Sequence, residues 1–218
     1  MSSINTLKVA SVVIREETYK EYDKLFTLFT KDFGKIRAYA FGVRREHSKK
    51  IGALRLFSFV EVTLENKNDS YTIIDAKVLD GFEEFTKDYE ITCYAAYFVE
   101  LIDYFSYENM ESENVFRLLY YTFKALSKGN INCKLIKSIY ELKMLKYQGE
   151  YVDSENLKNK NATVAYTWDR VLTSDPKELY TFKLEEDIFK IFRNEVDREF
   201  RQKVDKKFKS LESIGREL

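Results

Sequence analysis

Seven cations crowd the stretch from Phe29 to Lys50, FTKDFGKIRAYAFGVRREHSKK: Lys31, Lys35, Arg37, Arg44, Arg45, Lys49 and Lys50, against Asp32 and Glu46 alone. Ammonium and guanidinium groups at that density repel one another, so the stretch is expected to hold something negative. A phosphate backbone meets the need, and so does an acidic protein face; residue types alone do not separate the two. In KIRAYAF (35–41), strand alternation sets Ile36, Ala38 and Ala40 on one face and Arg37, Tyr39 and Phe41 on the other. A guanidinium beside two rings suits single-stranded nucleic acid, whose phosphates follow cations and whose bases stack on aromatic faces. The competing reading has Tyr39 and Phe41 filling a barrel interior, with Arg37 near its rim.

Other chemistry finds little support. His47 is the one histidine, which removes multi-histidine metal sites, and its basic turn suits a solvated side chain better than a catalytic one. Cys93 and Cys133 form no CxxC pair and are expected to be buried, reduced thiols. The seven glycines spell neither GxxxxGK[ST] nor GxGxxG, so no nucleotide site is expected. Glu83/Glu84 and Glu185/Glu186 each open a helical stretch, where acids suit the N-terminal dipole better than a catalytic pair. The expectation is a chain without a catalytic residue, cofactor or metal.

These cations must be held by something. Up to about position 80 the pattern is that of strands: LKVASVVI (7–14), LFTLFT (25–30), KIRAYAF (35–41), LFSFVEVTLE (56–65) and YTIIDAKVL (71–79), with Gly34 in a hairpin turn and ENKND as a second one. Five short strands in some eighty residues fit a small closed barrel of OB type, because closure removes exposed edges. After Gly81 the period lengthens. Ile91, Ala95, Phe98, Ile102 and Phe105, then Phe116, Leu119, Phe123 and Leu126, then Leu135, Ile139 and Leu142 mark amphipathic helices, and Ile188, Phe189, Phe192, Val196 and Phe200 mark another. Residues 148–175 have weak periodicity and are expected to form an irregular lobe. The fold class is therefore α+β: a five-stranded OB-type barrel over 1–80, followed by an α-helical domain over 81–218.

Bulk properties agree. The 218 residues are 44% apolar and 33% charged, which suits a chain with a real core. No apolar run is long enough for a membrane span and the opening lacks the pattern of a secretory leader, so a cytoplasmic protein is expected. The net charge of zero hides a division. Residues 1–60 hold twelve Lys and Arg against six Asp and Glu, a balance of +6, which the remainder cancels.

Several stretches, taken in order, carry a resemblance. VVIREETYKEYDKLFTLFTKDFGKIRAYAFGVRR (12–45) has an extended strand with a central Arg, a polar turn, an Asp-x-Leu strand, a hairpin glycine and Gly-x-Arg-Arg; LRLFSFVEVTL (54–64) follows with its Phe-Ser. YAAYFVELIDYF (94–105), LKYQGEY (145–151) and VDKKFKSLESIGREL (204–218) continue the series. Together these stretches resemble the RecO family of bacterial recombination mediator proteins over nearly the whole chain. The resemblance implies an OB barrel and a helical domain. It further implies a non-enzymatic protein that binds single-stranded and double-stranded DNA, anneals complementary strands, and works with RecR to replace single-strand-binding protein (SSB) by RecA, with the SSB C-terminal tail among its partners.

Carried onto this chain, DNA contact falls on Arg15, Lys35, Arg37, Arg44, Arg45, Lys49 and Lys50, to which the strand reading adds Tyr39. Departures accompany the match. Many members carry a four-cysteine zinc lobe after a Leu-Gly-Tyr turn; here Ser154 and Leu157 stand near the expected first pair and 148–175 holds no cysteine, so no zinc is expected. Tyr151, Val164, Tyr166, Trp168 and Val171 are then expected to hold the lobe by packing. Phe41 stands where a lysine is common, and Lys146 replaces the glycine of the turn. The alternative function is an adaptor whose basic barrel docks acidic protein partners. The helical faces around Phe98 and Phe123 are candidates for a partner tail, or simply core.

Overall fold

The computed structural model describes residues 5–67, 70–150, 157 and 161–215. Five strands, β1 (Asn5–Thr18), β2 (Lys24–Thr30), β3 (Gly34–Ala40), β4 (Phe59–Lys67) and β5 (Ser70–Asp80), close into a barrel in the order β1-β2-β3-β5-β4. This is the expected five-stranded OB-type barrel. Its interior is set by period-two alternation: Phe26 and Leu28 of β2, Ile36, Ala38 and Ala40 of β3, and Val60, Val62 and Leu64 of β4 all point into one core. The fourteen-residue β1 serves two neighbours, pairing with both β2 and β4, and its register shifts between Val13 and Arg15, where an extra residue bends the strand.

Gly34 makes the β2–β3 hairpin possible. Its φ of 64° is left-handed, and a Cβ there would collide with the carbonyl oxygens of Tyr107 and Met110. The last seam is thin. β3 and β5 run parallel and pair only at Ala38↔Tyr71 and Tyr39↔Thr72. Where β3 ends, the Lys50 ammonium donates to the carbonyls of Phe41 (3.2 Å) and Ile73 (3.1 Å), so a side chain continues what the ladder leaves off. The β3–β4 connection also sends Val43, Ala53 and Leu54 into the barrel core. A loop too polar to be core by composition is thus pinned from inside by three apolar residues. The strand expected to begin at Leu56 begins at Phe59.

Contacts divide the chain into two compact units, residues 1–87 with 99–116, and residues 88–98 with 117–218. Among the described residues the helices are α1 (Tyr89–Phe105), α2 (Glu113–Lys128), α3 (Cys133–Tyr147), α4 (Ala162–Thr173), α5 (Glu186–Lys203) and α6 (Lys209–Gly215). In the second unit α3 packs against α4 and α5. Its unbroken buried run from Leu135 to Leu145, save Lys137, makes α3 a central helix and not the amphipathic surface helix its Leu135, Ile139 and Leu142 stripe suggests. Phe98 and Phe123 are fully buried, which makes their faces core.

The irregular lobe expected over 148–175 is corrected in part by α4. Asn161 caps it, accepting from the amides of Thr163 (2.9 Å) and Val164 (3.1 Å), and Val164, Ala165, Trp168 and Val171 line its buried side. Trp168 meets Phe192 of α5 edge-on at 6.0 Å. Tyr166, expected to be buried, points outward, while Tyr151 and Ser154 lie outside the described residues. Lys143 and Lys146 of α3 cap the far end of α4: Lys143 donates to the carbonyls of Leu172 (2.8 Å) and Ser174 (2.6 Å), and Lys146 to Leu172 (2.7 Å).

Candidate nucleic-acid interface on the barrel

Sheet register dictates which side chains share the outer wall. Arg15, Thr27 and Arg37 pair across β1, β2 and β3 in one row, and Glu17, Leu25 and Tyr39 form the next. Tyr39 is half-buried and Phe41 half-exposed on that outer side; neither fills the barrel, whose interior at β3 is Ile36, Ala38 and Ala40. Of the two readings of KIRAYAF, the structure thus has the one with guanidinium and rings on a common surface. The Tyr39 and Phe41 rings stack with centroids 5.9 Å apart and planes 7° from parallel, and Tyr19 meets Tyr39 edge-on at 4.9 Å.

Tyr19 and Tyr22 belong to the β1–β2 turn, closed by the amides of Tyr19 (3.0 Å) and Lys20 (3.3 Å) donating to the Asp23 carbonyl. The same turn holds the basic loop. The Arg44 amide donates to the Tyr22 carbonyl (3.0 Å), the Gly42 amide donates to Asp23 Oδ1 (2.8 Å), and the Arg45 guanidinium lies over the Tyr22 ring at 5.6 Å. Gly42 turns the chain with a φ of 64°. Tyr19, Tyr22 and Lys20 are absent from the residues singled out by sequence. Their signal is there in TYKEYDK, two rings in a polar turn too short to bury them.

The seven predicted cations fall into three groups, those paired with carboxylates, one that is half-buried and three that are exposed, while the eighth predicted residue, Tyr39, is one of the stacked rings. Arg15 and Lys35 share Asp103: Arg15 donates to Oδ2 at 2.6 Å, and Lys35 to Oδ1 at 2.9 Å and to the Asp103 carbonyl at 2.8 Å. Arg37 pairs with Glu17 at 3.2 Å, which also lies 3.9 Å from Arg15. Lys50 is half-buried in the seam, and burial holds its ammonium below the ordinary lysine value, with Asp75 and Asp23 pulling the other way. The remaining cations, Arg44, Arg45 and Lys49, are exposed and pair with no carboxylate among the described residues. Two of these three cations, Arg44 and Arg45, are tied to Tyr22 in the turn that also carries the exposed Tyr19. Such an arrangement can bind phosphates electrostatically and stack planar groups.

His47 is exposed in the loop, Cys93 and Cys133 are free thiols, and among the described residues no three His, Cys, Asp or Glu side chains gather as metal ligands. No described helix is long and apolar enough to cross a membrane.

Comparison with known proteins gives two family matches in chain order: "Recombination protein O N terminal" over residues 1–82 and "Recombination protein O C terminal" over residues 86–168. Relatives named DNA repair protein RecO include the following three. That of Caldicellulosiruptor bescii is 29% identical over 163 residues, 73% of this chain and 66% of the relative. That of Alkaliphilus metalliredigens is 31% identical over 143 residues, covering 66% and 58%. That of Listeria monocytogenes serotype 4b is 26% identical over 194 residues, covering 85% and 75%. The aligned parts of the chain thus span from under three fifths to three quarters of these relatives.

Proposed function

The chain belongs to the RecO family, and from that premise we propose that it is a DNA repair and recombination mediator of the cytoplasm, binding DNA through the basic loop of its barrel. The observation that carries this reading is the trio Arg44, Arg45 and Lys49, exposed and without a carboxylate partner among the described residues, on a turn anchored to the barrel. Unpaired cations on a rigid mount gain most from a polyanion, because releasing condensed counterions from phosphates stabilises the complex without breaking ion pairs first.

Neutralised phosphates repel less, so two complementary strands held this way approach each other with a lower barrier. Annealing then needs no bond-making, which accords with a site that offers charge and rings. In this reading the protein binds single and double strands, anneals them, and cooperates with RecR in exchanging SSB for RecA on single-stranded DNA.

The test is fluorescence anisotropy of labelled oligonucleotides against the full chain through a salt series. Log affinity for a single strand is expected to fall against log salt with a slope of about −0.7 for each phosphate neutralised. Absence of binding at low salt, with retained binding to an acidic protein partner, would overturn the DNA reading and turn the basic loop into a docking surface for proteins.

A further inference from the structure

Cations alone give no preference for single strands, since duplex DNA carries the denser charge, yet the barrel presents more than cations. Tyr19 is 47% exposed and Phe41 50% exposed, although together with Tyr39 they form one continuous group of rings on the outer wall. Phe26 of the same barrel, by contrast, is turned into its core. We propose that Tyr19, Tyr39 and Phe41 form a stacking platform for unpaired nucleobases, giving the barrel a preference for single strands over duplex. The inference rests on the DNA-binding reading above and assigns the part of that interface which recognises bases.

Three features select this occupant. The stacked pair Tyr39–Phe41 leaves half of Phe41 open to solvent, and planar nucleobases add to such aromatic stacks whatever their sequence. The cations of the adjoining loop supply the charge that a sugar–phosphate chain requires at the same place, with Arg44 bonded through its amide to the β1–β2 turn that bears Tyr19. In a duplex the base faces are already stacked on one another, so the rings have nothing to meet until strands part. Cations and rings then divide the work: charge holds any nucleic acid, while rings favour the unpaired form.

An oligonucleotide built of abasic residues separates the two, since it keeps every phosphate and lacks every base. The full chain is expected to bind a base-bearing single strand at least about tenfold more tightly than an abasic strand of equal length, at equal salt slope. The double variant Tyr19→Ser/Phe41→Ser, on exposed positions and checked for an unchanged melting temperature, is expected to abolish that difference while leaving duplex affinity and salt slope as they were. A less disruptive companion, Phe41→Leu, keeps an apolar side chain and removes the ring, and is expected to lose part of the difference. Equal affinity of the unaltered chain for base-bearing and abasic strands overturns the platform and leaves the DNA-binding reading intact. Failure to bind either strand overturns both.

Discussion

Two groups of cations, one in each unit, are placed in opposite ways. In the helical unit Lys137 lies between Glu141 (2.9 Å) and Asp197 (3.0 Å), with the Tyr97 hydroxyl donating to Glu141 from the far side. Burial alone would push the Lys137 ammonium down, but the two carboxylates hold it above its ordinary value; burial pushes the Glu141 carboxyl up against their mutual attraction. On the barrel, Arg44, Arg45 and Lys49 meet water. A cation enclosed by carboxylates is part of the architecture, whereas one left open on a rigid turn is available to a ligand; proximity in sequence says nothing about which it is.

Breaking the enclosed group should have the largest effect. Lys137→Met leaves the buried Glu141 carboxylate without its cation and beside the partly exposed Asp197, and is expected to lower unfolding free energy by about 3 to 5 kcal/mol, read from urea denaturation, with the DNA affinity of the folded fraction unchanged. Arg44→Ala together with Arg45→Ala should do the reverse. Stability is expected to stay within about 0.5 kcal/mol of the unaltered chain, while single-strand affinity at low salt falls at least about tenfold and the salt slope shrinks by about 1.4. An unaltered slope would sink the division of roles.

A third change sharpens the boundary between the two kinds. Lys143 of α3 is pushed down to about 8 by burial first and by Lys146 second. From about pH 8 to the ordinary lysine value of 10.5, the unfolded chain binds the proton that the folded chain releases, so this group makes stability climb with pH in that window. Lys143→Met is expected to flatten the climb and, by taking the side-chain donor from the Ser174 carbonyl while Lys146 still serves that of Leu172, to cost about 1 to 3 kcal/mol at pH 7. The smallest effect belongs to Asp103→Asn. Removing the carboxylate that occupies Arg15 and Lys35 is expected to raise single-strand affinity a few-fold, equivalent to about 0.5 to 1 kcal/mol, and to steepen the salt slope.

Local pattern was enough for most of the barrel. Period-two alternation assigns the inner residues of β3, and the turn chemistry of Gly34 fixes its hairpin; both depend on neighbours in the chain. Arg44, Arg45 and Lys49 were equally readable, because no apolar stripe runs through them. What stayed illegible depends on partners far away. Nothing near Arg15 or Lys35 announces Asp103, which lies 88 and 68 residues further on. Lys143 and Glu141 look like the polar side of an amphipathic helix until carbonyls and hydroxyls from other elements cover them. α4 hid for a different reason: its cap is an asparagine in a polar stretch, and its short stripe of Val164, Ala165, Trp168 and Val171 is interrupted by the exposed Tyr166.

Lys50, first read as a candidate for phosphate, has another consequence. With only two backbone rungs joining β3 to β5, the barrel is fastened at that line by one amine bridging two carbonyls. Such a clasp can be unfastened chemically. Acylating this single nitrogen takes away its charge and leaves it one hydrogen to donate where two acceptors wait. Deuterium should then enter the amides of Ala38–Ala40 and Tyr71–Ile73 ahead of those at the β1–β4 ladder, which marks the seam as the line along which the barrel opens.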